Sequence, residues 1–272
     1  MSLSEEKRMA LNPMEILKYL NKSNCGECGE KTCLAFAAAV ARGQKLLNQC
    51  PCVEEEILQQ FSVDSGDPES SNREREEVSN RLKDRLSKMD FREASKRLDA
   101  PLKDGRLTLK VLGKNFSVDS KGAFFSEIHI HSWLTLPVLN YILDGKGVEP
   151  SGNWVPLREL KGGKDWGRFF EHRCEKPMKK LADTYPDFFA DMLHVFSGRQ
   201  VDRHYESDIS LVLYPLPKLP ILICYWRPED GLESDLHLFF DTTAENNLNI
   251  DSIYSLMTGM LVMFEKIARR HN

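Results

Sequence analysis

The sequence predicts an α+β protein in two unequal parts: a small α-helical, cysteine-rich module and a larger domain with an antiparallel sheet and packed helices. Three observations predict this. Five of the seven cysteines fall between positions 25 and 52. A polar stretch over 62–75 follows, with almost no apolar residue. Beyond it, alternating apolar runs are grouped apart from helical patterns rather than interleaved with them. The expected units are a cluster module over 1–61, a flexible hinge over 62–75 and an α+β domain over 76–272.

The 272 residues, 41% apolar and 29% charged, have an ordinary water-soluble balance and are ample for a buried core. A net charge of −4 gives no global pull toward nucleic acid or an anionic bilayer, so no nucleic-acid partner is expected. The N-terminus lacks the apolar core of a signal peptide. The apolar stretch 253–264 is too short to span a bilayer and is broken by Ser255, Thr258 and Gly259. The expectation is a cytoplasmic protein with no membrane insertion. Thiols stay reduced in that compartment, so clustered cysteines point to metal or redox chemistry rather than disulfides.

Pro13 opens a short helix with Ile16, Leu17 and Leu20 on one edge. Residues 21–24 break it, and a loop carrying Cys25, Gly26, Cys28, Gly29 and Cys33 follows. Glycines suit a backbone that wraps closely round a compact group. Residues 33–47 are alanine-rich and read as a helix, with Thr32 as N-cap and Cys33 in the first turn, where the dipole favours a thiolate. Cys50 returns as a fourth thiol, and Pro51 ends the helix.

The spacing C-x2-C-x4-C-x16-C of Cys25, Cys28, Cys33 and Cys50 therefore suits a [4Fe–4S] cluster. Four thiolates also suit tetrahedral zinc, but zinc ribbons carry two tight C-x2-C knuckles and this chain has one. Unrelated core cysteines would not crowd so densely. Cys52 is a spare that could replace Cys50, stay a free thiol or respond to oxidation; Cys50 is favoured as ligand.

Residues 12–20, the run Asn24-Cys25-Gly26-Glu27-Cys28-Gly29, Thr32 to Ala37, and Gly43-Gln44 with Cys50-Pro51 carry a resemblance. This segment, about 12–60, resembles the small [4Fe–4S] domain of the corrinoid iron–sulfur protein large subunit, and a similar module in membrane-bound ferredoxin-oxidising complexes. The resemblance implies that Cys25, Cys28, Cys33 and Cys50 are cluster ligands. It also implies a domain that passes an electron to reactivate a cobalt cofactor.

A charged helix is expected from about 76 to 98, with Val78, Leu82, Leu86 and Met89 on one narrow edge packed on the larger domain. Leu107, Leu109 and Val111, then Phe116 and Val118, alternate about Gly113-Lys114-Asn115, a hairpin signal. A helix should start near Thr135-Leu136-Pro137 and end before Gly145. Helices are expected around 166–174 and 187–196. Apolar runs at 209–214, 221–226 and 235–240, separated by Pro215, Pro217, Pro220 and a turn at 227–231, read as an antiparallel meander. An amphipathic helix over 251–270 follows. The phrases at 136–143, 152–163 and Leu219-Pro220 with Phe239-Phe240-Asp241 resemble a prokaryotic domain of unknown function that follows such cluster modules in anaerobes. That resemblance implies no activity.

Other constellations are weaker. His129 and His131 share one face of an expected strand, but a third metal ligand is missing nearby. Asp202-x-His204 and Asp235-x-His237 begin a D-x-H-x-x-G corrinoid lower-ligand pattern, but Ser207 and Phe240 stand where it needs glycine. Glu30 interrupts the Gly-Lys-Thr of a phosphate loop. Trp154, Arg158, Trp226 and Arg227 could line a pocket for an anionic or planar ligand, although a core with surface arginines explains them more simply. Cys174 and Cys224 should pack as small apolar residues.

The functional expectation is an iron–sulfur electron-transfer protein that passes single electrons to a protein redox partner or a corrinoid-dependent enzyme. Its larger domain would dock that partner or hold a corrinoid or other cofactor. The alternatives are a cluster-containing binding or redox-sensor protein, and an enzyme with a pocket in the larger domain; the catalytic residues are unknown.

Overall fold

The structure, a computed structural model, describes residues 13–41, 45, 47–53, 68–229 and 231–271. It divides into two compact units, Met1–Glu77 and Val78–Asn272. Both units together give the expected α+β class, with two antiparallel sheets among helices.

In the first unit, α1 (Pro13–Ile16) runs into a 3-10 turn, Leu17–Tyr19, and α2 (Cys33–Ala41) follows the cysteine loop. Leu47 belongs to a separate 3-10 turn, Leu47–Gln49. Ile16, Leu20, Phe36, Ala37, Val40, Leu47 and Val53 form a small core that also takes in Cys33 and Cys50.

Of the expected hinge, 62–67 lie outside the described residues. Residues 68–75 are helical instead, as the first part of α3 (Pro68–Ser87). Proline fits the first helical position, where its missing N–H costs nothing. The expected helix over 76–98 is two helices, because Asp90 caps α4 (Phe91–Leu98) by accepting from the Arg92 N–H at 2.8 Å. Leu82, Leu86 and Met89 pack on the larger unit's core as expected, while Val78 is exposed.

The first sheet is a meander of β1 (Leu102–Lys103), β2 (Arg106–Val111), β3 (Lys114–Asp119) and β4 (Phe124–Ser126). The expected hairpin is present, but its turn is Leu112-Gly113, since Val111 pairs with Lys114. Both turn residues have positive φ, 47° and 77°, the twist a two-residue hairpin needs. The Leu112 N–H donates to Tyr214 O at 3.1 Å and so ties this sheet to the second.

The second sheet has the order β5-β9-β8-β7-β6. The long strands are β7 (Ile209–Leu216), β8 (Leu219–Trp226) and β9 (Asp235–Asp241); β5 (Trp154–Pro156) and β6 (Arg199–Gln200) are short edges. The expected meander is present, but Pro215 and Pro220 lie within β7 and β8 rather than between them. A register shift between Leu213 and Leu216 accommodates Pro215, which has no N–H for the ladder. Strand alternation puts Leu211, Leu213, Ile221, Ile223, Leu236, Leu238 and Phe240 in the main core. Val212, Leu222 and Cys224 form a second cluster on the outer face, with Trp154, Tyr214, Trp226 and Phe239 packed against it.

Helix α5 (Ser132–Asp144) starts before the expected position and contains Pro137. His131 O already accepts from the Leu134 and Thr135 N–H groups, so the first turn is closed before the proline. The helix near 166–174 is α6 (Gly167–Phe170) followed by a π-helical turn, Glu171–Glu175, and α7 (Lys176–Thr184). Pro177 has no N–H for the Arg173 carbonyl, which explains a widened ladder there. Then come α8 (Phe188–His194), α9 (Ala244–Asn247) and α10 (Ile250–His271). A Cβ added at Gly259 of α10 would lie 2.2 Å from Trp133 Cγ of α5, so that glycine lets the two helices meet.

Asp241 at the end of β9 is fully buried. Its carboxylate accepts from the N–H groups of Ser151 (3.0 Å), Gly152 (2.6 Å) and Thr243 (2.9 Å). The hydroxyls of Ser151 (3.1 Å) and Thr243 (2.7 Å) also donate to it. Burial pushes its pKa up, but these donors, led by the Thr243 and Ser151 N–H groups, outweigh burial and hold it below the usual carboxylate value.

Candidate metal centre

The loop before α2 is shaped by residues that accept unusual backbone angles. Lys22, Asn24, Gly26 and Gly29 all have positive φ. The Gly29 N–H donates to Gly26 O at 2.9 Å, which folds Cys28 back toward Cys25. Asn24 Oδ1 accepts from the Cys33 N–H at 2.8 Å, and Thr32 Oγ1 accepts from the Ala35 N–H at 3.1 Å. Thr32 thus caps α2 as expected, and Cys33 sits in its first turn. The Cys50 N–H donates to Leu47 O at 3.1 Å, which sets the fourth thiol in the core.

Lys45 holds this loop from behind. Its Nζ donates to Cys28 O at 2.9 Å and pairs with Glu30 at 3.0 Å, 5.9 Å from the centre of the Phe36 ring. Sequence reading missed Lys45 and Asn24. Asn24 accepts from a backbone N–H and Lys45 donates to a backbone oxygen, partners that leave no signal in a sequence.

The thiols differ in exposure. Cys33 and Cys50 are buried, Cys28 and Cys52 half-buried, and Cys25 exposed. The Glu27 N–H, and then Ser23, stabilise the Cys25 thiolate and lower its pKa. Burial pushes the Cys50 thiol up to about 11, and the neighbouring Cys28, Cys25 and Cys33 thiolates push the same way. Burial, followed by the Cys25 contact, pushes Cys52 up to about 12. Cys52 Sγ lies 3.8 Å from Cys25 Sγ and 3.5 Å from Glu27 Oε2. Cys25, Glu27 and Cys52 are the metal-capable group among the described residues whose ligand atoms all lie within 4.8 Å of one another.

These residues fit a thiolate-held iron–sulfur cluster. Cys25 and Cys28 lie on the loop whose glycines leave the backbone bare, Cys33 opens α2, Cys50 and Cys52 follow the turn Leu47–Gln49, and Glu30 is paired with Lys45. The other expected sites separate. His129 and His131 lie outside strands, exposed, with ring centres 4.7 Å apart. His237 sits between Glu175 (3.6 Å) and Asp235 (3.2 Å). Trp154 and Trp226 share the outer sheet face, whereas Arg158 and Arg227 are exposed. Cys174 and Cys224 are fully buried, as expected of small core residues.

A family model described as "Domain of unknown function (DUF3786)" matches residues 90–263. The chain belongs to the DUF3786 family. Ahead of its DUF3786 domain, a second model, described as "Putative Fe-S cluster", matches residues 20–52. The chain is 43% identical over 60 residues to the corrinoid/iron-sulfur protein large subunit of Moorella thermoacetica. That match takes in 22% of this chain and 14% of the relative. It is 50% identical over 40 residues to the acetyl-CoA decarbonylase/synthase complex subunit gamma 2 of Methanosarcina thermophila, 15% of this chain and 8% of the relative. The chain thus carries an iron–sulfur module joined to a DUF3786 domain, and it spans a small part of those relatives' lengths. No solved structure matches it. Among the described residues, no helix is long and apolar enough to cross a membrane.

Proposed function

We propose that this protein is an iron–sulfur electron carrier in which Cys25, Cys28, Cys33 and Cys50 hold a [4Fe–4S] cluster. It passes single electrons to a protein partner, either a redox enzyme or a corrinoid-dependent one, in the cytoplasm. The observation that carries this reading is the cysteine loop itself, with the spacing of a module otherwise found in proteins named for corrinoid and acetyl-CoA chemistry. Such a cluster supplies one-electron redox chemistry at low potential. The chain's residues would hold it and set its surroundings. Cys33 would present a thiolate at the positive end of α2, Gly26 and Gly29 would let backbone N–H groups approach sulfur, and Lys45 would keep the loop closed and add a positive charge.

The test is anaerobic reconstitution. Expected are about four irons and four sulfides per chain and a broad visible absorbance that bleaches with dithionite. The reduced protein should then reduce the oxidised cobalt of a corrinoid protein in a stopped-flow trace. Stoichiometric zinc without iron in anaerobically purified protein refutes the reading. A redox-sensor reading is favoured by one observation, the 3.8 Å approach of Cys52 to Cys25. It predicts a Cys25–Cys52 disulfide, seen by peptide mass, after the cluster is oxidised away by peroxide.

A further inference from the structure

A [4Fe–4S] cluster takes one thiolate per iron, and the cysteine-rich module carries one thiol more than that. The additional one is Cys52, and its surroundings give it a place. Its Sγ lies 3.8 Å from Cys25 Sγ and 3.5 Å from Glu27 Oε2. The ligand atoms of Cys25, Glu27 and Cys52 all fall within 4.8 Å of one another, and Cys50 is not in that group. In sequence Cys52 neighbours Cys50. In space its sulfur neighbours Cys25.

The backbone explains why the sulfur turns that way. Cys50 and Val53 are both buried in the small core, and the Val53 N–H donates to Cys50 O at 3.3 Å. The turn between them is therefore anchored at both ends. Within it the Cys52 N–H serves the Cys50 sulfur. A residue whose N–H supports Cys50 is badly placed to replace Cys50. Its side chain instead reaches across to the loop, where Cys25 stands exposed between Asn24 and Gly26, both at positive φ.

The separation of the two sulfurs carries chemical information. With metal–sulfur bonds of about 2.3 Å, as in zinc–cysteine sites, two sulfurs on one tetrahedral metal lie about 3.8 Å apart. Cys25 and Cys52 stand at that separation and so address the same metal position. Thiolates on two different irons of a cubic cluster point away from each other and lie farther apart. Each iron of such a cluster already carries its sulfides and takes one protein ligand, so the two thiols compete for a single bond.

We propose that Cys25 and Cys52 are interchangeable ligands of one iron, so that the exposed corner of the cluster has a reserve thiolate. The inference rests on the cluster reading and adds Cys52 to its ligands, in place of Cys25 rather than of Cys50. The exchange changes no oxidation state. The bond from iron to Cys25 breaks, the bond from iron to Cys52 forms, and one proton passes from Cys52 to Cys25. Cys25 is the thiol open to solvent, and hence to oxidants and electrophiles. Cys52 is half-buried beside it, so the iron keeps a sulfur ligand when Cys25 is modified. In this role both thiols stay reduced, unlike the pair in a sensor disulfide.

The test uses the full chain, reconstituted anaerobically, as wild type, Cys25→Ala, Cys52→Ala and the double variant. Wild type and both single variants should each hold about four irons and four sulfides. The double variant should fall to about three irons or fewer. Brief treatment with iodoacetamide, read by peptide mass, follows the thiol left over. Cluster-loaded wild type should take about one label per chain, on Cys25 or Cys52. Each cluster-loaded single variant should take none on its remaining member of the pair. Cys174 and Cys224 are fully buried and stay unlabelled in the folded chain. Loss of the cluster in either single variant overturns the inference and leaves the cluster reading standing. So does a label on Cys52 in cluster-loaded Cys25→Ala, or a complete cluster in the double variant. Wild type that takes up no iron overturns both.

Discussion

Replacing Asp241 should cost the DUF3786 domain more than any other single polar change. Its carboxylate collects three N–H groups and two hydroxyls from the segments on either side of β5 and β9. In Asp241→Ala the hydroxyls can turn elsewhere, and Ser151 Oγ already meets Thr242 Oγ1 at 3.0 Å. The three N–H groups cannot. Each stranded donor costs about 1–3 kcal/mol, so the expected loss is at least about 3 kcal/mol. Asp241→Asn separates the contributions. One oxygen can still serve Ser151 and Thr243, but the amide NH2 would face the Gly152 N–H, now 2.6 Å from Oδ2. That single conflict predicts about 1.5–3 kcal/mol. All four tryptophans, 133, 154, 166 and 226, lie in this unit, so urea unfolding followed by tryptophan fluorescence reports on it. The pH dependence has a definite sign. The folded carboxyl has a lowered pKa, so its contribution is complete above the unfolded-chain value of about 3.9 and is lost as pH falls through the folded one. The gap between wild type and Asp241→Asn should be flat from about pH 5 to 8 and close below about pH 4. An Asp241→Ala protein within about 1 kcal/mol of wild type at neutral pH would refute the reasoning.

Three further outcomes are expected. Lys45→Met removes the bond to Cys28 O and the pair with Glu30, so reconstituted iron should be lost to a chelator roughly five- to tenfold faster, measured by anaerobic bleaching. Cys50→Ser should abolish cluster assembly, while Cys52→Ser should retain full iron and sulfide; the reverse result would make Cys52 the ligand. Gly259→Ala, which in an open helix gains about 1 kcal/mol, should instead destabilise by about 1–2 kcal/mol in urea, because its Cβ would meet Trp133.

The cysteine loop was legible because ligand spacing is a local constraint, and the long strands β7 to β9 because burial of one face imposes alternation. Boundaries were less legible wherever a residue's usual role was set aside by its neighbours. Pro137 reads as a helix start, yet His131 O closes the first turn ahead of it. Pro215 reads as a break, yet a register shift keeps it within β7. Polar residues 68–75 read as a hinge, since composition reports contact with water and not backbone angle. The site residues that escaped, Lys45 and Asn24, act through one backbone oxygen and one backbone N–H, and such partners leave no pattern in a sequence. The grouping of Trp154, Phe239 and Trp226 escaped for another reason: they come from three strands, and only the register of β9 with β5 and β8 brings them to one face.

The second sheet's proportions bear on how the chain avoids sticking to copies of itself. Its three central strands hold seven or eight residues each, and β8 is almost wholly apolar. Its two outermost strands hold three and two residues, and β5 ends in Pro156. A stray strand would therefore find only stubs to pair with in the finished fold. During synthesis the order is less protective, because β7 and β8 emerge before β9 and leave the long edge of β8 open. A chain stopped before residue 235 would keep that edge for good, which makes β9 the domain's own guard against aggregation.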